Sequence, residues 1–212
     1  MPIYGTVGAI TKASGNFGGG LVVFEGKPEL KVGGFNFNMD DLPAVGDVLP
    51  CGTPVYCDES YPGRSITPII TAEVIAVSGT AVTLKDHGFG NVPFKAGATV
   101  AKLGDDLTAA AEKTATISSK EKNVLTLDAA VSGLAVGDIL VEVDATSKKV
   151  KAIPNCLLPY DIRRGENEIS RTGDGMYAND RPILERRMPA INDAIKAALA
   201  AAGCKFVYSN RK

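Results

Sequence analysis

A pattern that occurs twice in the middle of the chain limits its fold more than any other feature. From Thr71 the sequence reads TAEVIAV, turns at Ser78-Gly79-Thr80, continues as AVTL to Leu84, and after a loop gives FKAGATVAKL from Phe94 to Leu103. From Thr114 it reads TATIS, turns through SKEKN, continues as VLTL to Leu127, and after a loop gives LAVGDILVEV from Leu134 to Val143. Each copy is strand, turn, strand, loop and glycine-led strand. Val82-Thr83-Leu84 and Leu125-Thr126-Leu127 are offset by nearly the same interval as Gly97 and Gly137. Self-similarity of this kind means that one supersecondary unit is used more than once. A partial third copy is Ala44-Val45-Gly46-Asp47-Val48-Leu49, followed by Thr53-Pro54-Val55-Tyr56.

Gly46, Gly97 and Gly137 each stand one step ahead of an apolar strand, where a positive φ reverses the chain. These three are the expected structural turns. Asp47 and Asp138 follow two of them, and short carboxylates in that place cap turn amides. The equivalent third position is Ala98, a change that turn chemistry tolerates and a catalytic acid does not.

Composition agrees with a fold of short strands. There are 23 glycines and 12 prolines, aromatics make up 6% and Trp is absent. That mixture favours strands joined by many turns and disfavours an aromatic platform for sugars or bases. The expected fold is mainly β, with repeated small sandwich or barrel units and one C-terminal α-helix. The 212 residues, 45% of them hydrophobic, can fill one large domain or two small ones. A formal net charge of -1 supplies no field for nucleic acid or an anionic membrane, so neither is expected as a partner. No apolar run is long enough to span a bilayer, and nothing after Met1 reads as an export signal.

Three segments are expected. Residues 1–57 form an N-terminal β segment, with Ile3 to Ile10 weakly alternating, Ser14 to Gly20 (SGNFGGG) too flexible for a regular element, and Leu21 to Phe24 and Phe35 to Asn38 extended. This segment is a candidate attachment arm. Residues 58–150 hold the tandem β-repeats, with Asp105 to Lys113 as a linker that could form a helical turn or two. Residues 151–212 are proline-punctuated and dense in charge, then helical.

Arginine is the dominant cation between Asp161 and Arg187, and acids match it in number, so the stretch is no nucleic-acid patch. Its planar fork pairs with carboxylates and suits interfaces better than lysine. A solvated loop explains the composition as well as an interface does. Arg163, Arg164, Arg186 and Arg187 are the interface candidates. The helix is expected between Pro189 and Gly203, with Ile191, Ala194, Ile195, Ala198, Leu199 and Ala202 forming a narrow apolar stripe. Its partner is the protein's own sheet, or else the same helix in neighbouring subunits through Ile191, Ile195 and Leu199. Phe206-Val207-Tyr208 is a last short strand.

Catalytic signatures are sparse. The one histidine, His87, lies in the loop Lys85-Asp86-His87-Gly88-Phe89-Gly90 without a nucleophile elbow, and an ordinary loop role explains it. Gly18 to Gly20 precede no Lys-Ser/Thr, and Gly173-Asp174-Gly175 lacks the spacing of a calcium loop. Cys51, Cys57, Cys156 and Cys204 form no CxxC and no zinc pattern. Reduced thiols are the plain reading, and a Cys51–Cys57 disulfide pinning a hairpin is the alternative. No cofactor, no metal and no enzymatic activity are expected.

The stretch VLPCGTPVYCDE (Val48 to Glu59), followed by the two repeats with the loop LKDHGFGNVPFKAGATVAK, resembles head fibre and head decoration proteins of tailed bacteriophages, including prophage-borne versions in gut bacteria. The similarity covers residues 42–143. It implies a virion component, made in the bacterial cytoplasm, that binds the outer surface of a capsid protein, self-associates as a homotrimer and carries no cofactor. Binding of a host-surface glycan is left open by the resemblance. The long C-terminal part departs from the smaller decoration proteins. Two other classes fit a β-rich, repeat-bearing chain: a bacterial surface adhesin or carbohydrate-binding β domain, and a small hydrolase built around His87.

Overall fold

The computed structural model describes residues 23–60 and 63–210. The extended and glycine-rich stretches Ile3 to Ile10 and Ser14 to Gly20 lie outside them. The described residues are mainly β with one α-helix, as the sequence predicts. Two closed barrels dominate them.

The first barrel uses β1 (Pro28–Phe37), β3 (Pro54–Asp58), β4 (Ser65–Pro68), β11 (Cys156–Leu157) and β13 (Thr172–Asn179), in the order β1-β13-β11-β3-β4. A parallel pairing of Asn36 with Ser65 and Phe37 with Ile66 closes it. The second barrel uses β5 (Thr71–Ser78), β6 (Ala81–Leu84), β7 (Thr99–Lys102), β8 (Thr114–Glu121), β9 (Val124–Leu127) and β10 (Ile139–Val143), in the order β10-β5-β6-β9-β8-β7. It is therefore inserted between the strands of the first. The expected N-terminal and C-terminal segments are not separate units, because strands from both close the first barrel.

The two sequence repeats build the second barrel jointly, and a two-fold relation joins them. Val82 pairs with Leu125, its counterpart in the other copy, and Ala101 pairs with Val141 in the same way. Each hairpin carries an irregularity at the matching place, between Val74 and Ala76 and between Ile117 and Ser119. Neither copy forms a small barrel of its own. Three strands leave open edges, and four pairings between the copies remove them: β6 with β9, β7 with β10, β7 with β8 and β10 with β5.

The glycine turn is used three times. Asp47 N–H donates to the Ala44 carbonyl (3.0 Å), Ala98 N–H to Lys95 (3.2 Å) and Asp138 N–H to Ala135 (3.1 Å). Gly46, Gly97 and Gly137 have φ of 88°, 85° and 91°, the geometry of a type II turn with glycine at its third position. Each turn then makes the same paired bridge to a neighbouring strand. Gly46 and Asp47 exchange bonds with Arg164, Gly97 and Ala98 with Ile117, and Gly137 and Asp138 with Val74. The third copy diverges after that. Its strand β2 (Val48–Leu49) pairs with β12 (Ile162–Arg163), outside the second barrel.

One apolar cluster runs through both barrels. Phe35, Phe37, Val55 and Ile66 from the first join Val74, Val82, Val100, Ile117, Leu125 and Leu140 from the second. A second cluster gathers Ile69, Ala101, Val141, Leu157 and Met176 under the helix α1 (Asp193–Ala201). The helix starts four residues after Pro189, because Asn192 is its N-cap and accepts from the Ile195 N–H at 3.1 Å. Its end follows the glycine rule. Gly203 (φ 86°) donates to the Ala200 carbonyl and Cys204 to Leu199, both at 3.0 Å, a Schellman motif. After it, Lys205 bridges to Ala178, and β15 (Tyr208–Ser209) pairs in parallel with β14 (Ile183–Leu184).

Candidate functional site

Arg163 and Arg164, read from sequence as interface residues, grip the Gly46 turn of their own chain. Arg163 Nη1 donates to the Gly46 carbonyl at 2.7 Å and Arg164 Nη1 to the Pro43 carbonyl at 3.0 Å. Ile191, Ile195 and Leu199 are 7%, 0% and 1% exposed inside the second cluster, so the helix stripe faces its own sheet and not a neighbouring subunit. Arg186 and Arg187 differ. They sit half-buried in a 3-10 turn, Glu185–Arg187, and with Arg181 and Glu25 line a cavity of about 310 Å³.

The two aspartates of the glycine turns are structural, but in different ways. Asp138 caps its turn by accepting from the Ala135 N–H at 2.7 Å and pairs with Lys102 at 2.8 Å. Asp47 instead reaches across to the second barrel. It accepts from Asn91 Nδ2 and from Lys120 Nζ, the latter at 2.5 Å, and Lys120 also reaches the Val92 carbonyl at 2.5 Å. The Lys120 and Asp47 side chains are 11% and 15% exposed. A second brace is Lys151, which meets Asp41 at 2.6 Å and the buried Glu142 at 2.9 Å. Burial works against its charge, yet Glu142 and Asp41 outweigh that and hold its pKa above the ordinary lysine value. Lys95 completes the set by donating to the Asp40 carbonyl. Sequence reasoning missed these braces. Their partners are distant in the chain, 73 residues apart for Asp47 and Lys120, and no local spacing marks them.

His87 lies in a loop, as its sequence setting suggests, and is buried there at 4% exposure. Neither ring nitrogen makes a full hydrogen bond. Burial, aided by the Lys85 ammonium, pushes its pKa down to about 4, against weaker pulls from Asp86, Glu73 and the Arg187 backbone. The imidazole is therefore neutral in the folded protein and protonated at about pH 6.5 once unfolded. A depressed folded pKa gives stability that is complete above the unfolded value and lost as pH falls from about 6.5 towards 4. We expect His87→Leu to lose on the order of 2 kcal/mol less stability than the parent chain between pH 7 and pH 4.5, measured by urea melts at both. Equal losses in the two proteins would remove His87 from the acid response.

The cysteines are all free, and their neighbours differ from the hairpin-disulfide alternative. Cys51 donates to the Pro159 carbonyl at 3.4 Å, and its backbone N–H binds Asp161 at 2.7 Å. Cys57 points the other way, into the first barrel, beside Cys156. Cys204, half-buried behind the helix, donates its S–H to the Asn155 carbonyl at 3.1 Å, next to Cys156. Contact with Cys204 first and then Cys57 pulls the Cys156 pKa down against its burial, while the thiols of Cys57 and Cys204 are pushed up by the same contacts.

Among the described residues, no group of three or more His, Cys, Asp or Glu side chains is arranged to hold a metal ion, and no helix is long and apolar enough to cross a membrane. Several large apolar side chains face solvent: Ile169 is 92% exposed, Val136 67%, Val207 65% and Val45 52%. Val45 and Val136 occupy the same position in two of the three glycine turns. Comparison with family models, with curated proteins and with solved structures returns no match.

Proposed function

We propose that this chain is a non-enzymatic structural component of a phage-like particle, a head fibre or decoration protein that docks on a capsid protein and self-associates as a homotrimer. The observation that supports this reading best is the cross-braced pair of closed barrels. Asp47–Lys120 and Lys151 with Asp41 and Glu142 tie the periphery of one barrel to the wall of the other, over a shared core. Charges held in this way stiffen a block, and a stiff block keeps its surfaces in register with a lattice of partners.

Closure also decides where contacts form. A closed barrel offers no free strand edge, so another chain meets the barrels by their turns and outer faces, and open edges are confined to the short β2–β12 and β14–β15 pairs. Exposed Val45 and Val136 on the glycine turns, Ile169 in the arginine-rich loop and the cavity of Arg181, Arg186 and Arg187 are the features available for that purpose.

Light scattering coupled to size exclusion tests the reading. A stable trimer is expected, and a clean monomer at high concentration would overturn self-association. In the same measurement the double variant Arg186→Glu, Arg187→Glu is expected to lose the oligomer, while circular dichroism and the melting temperature stay close to the parent's. Unchanged oligomer mass would remove these arginines from the contact.

A further inference from the structure

Three of the four thiols converge although they come from distant parts of the chain. Cys57 on β3 and Cys156 on β11 both lie over Gly175 of β13. A Cβ placed at Gly175 would stand 2.5 Å from Cys57 Sγ and 2.8 Å from Cys156 Sγ. Cys204 is delivered by the Schellman turn at Gly203, which reverses the chain out of the helix and onto β13. Asn155 holds the arrangement. Its side chain makes two hydrogen bonds to the Cys57 backbone, at 2.8 and 2.9 Å, and its carbonyl accepts from Cys204 Sγ at 3.1 Å. The Lys31 ammonium adds a positive potential felt by all three sulphurs. Cys57 and Cys156 are 3% and 0% exposed, so half-buried Cys204 is the one through which a reagent enters.

We propose that this cluster is a disulfide-forming site in which Cys204 is the entry thiol and Cys156 the resolving thiol. An external low-molecular-weight disulfide supplies the oxidising equivalents. Cys204 attacks one of its sulphurs, forming a mixed disulfide, and the departing thiolate takes up the Cys204 proton. Cys156, whose thiolate the Lys31 ammonium favours, then attacks Cys204 Sγ. The second external thiolate leaves and takes the Cys156 proton. Two protein thiols are oxidised to one disulfide, and the external disulfide is reduced to two thiols. The new bond staples the end of the helix to the wall of the first barrel.

The experiment uses the full chain and oxidised glutathione. Expected are the loss of two of the four titratable thiols, a Cys156–Cys204 linked peptide in a digest, and a melting temperature higher by about 5–10 °C that dithiothreitol reverses. Cys51 is the internal control, since its neighbours are Asp161 and Pro159 and no thiol. Cys51→Ser is expected to oxidise like the parent, whereas Cys204→Ser and Cys204→Ala keep all their thiols. A glutathione adduct that persists on Cys204 would overturn the resolving role of Cys156. A Cys57–Cys156 link formed in the Cys204 variants would overturn the entry role of Cys204.

Discussion

Gly175→Val is expected to leave the chain without a cooperative folding transition, and Gly175→Ala to lower stability by about 3 kcal/mol. The reason is a collision inside the first barrel. A single added Cβ would lie 2.5 Å from Cys57 Sγ and 2.8 Å from both Cβ and Sγ of Cys156. Those sulphurs belong to fully buried strand residues that have no solvent to move into. A methyl group at this site therefore demands backbone movement of β3 or β11, and valine demands more than a domain of ordinary stability can absorb. Any gain from replacing glycine in a strand is smaller than this, about 1 kcal/mol. The double variant Gly175→Ala, Cys57→Ala opens space at the point of contact. It should be more stable than the sum of its single variants by at least about 1 kcal/mol in urea melts. Strict additivity would show that Cys57 does not crowd position 175.

The same position shows how the fold was and was not legible. Gly173-Asp174-Gly175 lies, in the sequence, in a charged stretch that reads as a solvated loop or an interface, and it lacks the spacing of a calcium loop. In the structure it is a strand whose two glycines face inward, against Phe37 and against the two cysteines. Nothing local says so, because the side chains that require the glycines, Phe37 for Gly173 and Cys57 and Cys156 for Gly175, lie outside the segment in sequence. The repeats were readable for the opposite reason. Strand period, a turn between each pair of strands and the glycine ahead of each last strand are local properties, and they recur.

Pairing was not readable, since β6 with β9 and β7 with β10 join positions that only the closed barrel brings together. The candidate interface shows the same division. The helix stripe at Ile191, Ile195 and Leu199 was visible as an apolar face, but its partner was left open between the chain's own core and another subunit, and the core holds it. Arg163 and Arg164 were visible as an arginine pair. Their acceptors are backbone carbonyls at Gly46 and Pro43, which no charge pattern records.

Asp47→Ala is the other change expected to have a large effect, about 3–5 kcal/mol, because it strips a buried ammonium of its counter-ion. Lys120 is only 11% exposed in its side chain, and without Asp47 its remaining acceptor is the Val92 carbonyl. The Asn91 amide loses its acceptor in the same step. Asp138→Ala, at the equivalent turn, is the contrast. Its partner Lys102 is 47% exposed and stays hydrated, so the loss there is limited to a turn cap and a screened pair, about 1 kcal/mol. Two aspartates in matching sequence positions thus differ several-fold in effect, and burial of the lysine decides which is larger. Removing the stranded charge should restore much of the loss. Asp47→Ala, Lys120→Met is expected to be at least about 2 kcal/mol more stable than Asp47→Ala alone. Amide exchange at Gly46 and Arg164 should quicken in Asp47→Ala and slow again in the double variant, since the brace holds that turn against the second barrel. If Asp47→Ala and Asp138→Ala shift the urea midpoint equally, the Lys120 contact is hydrated in solution and this brace does not hold the two barrels together.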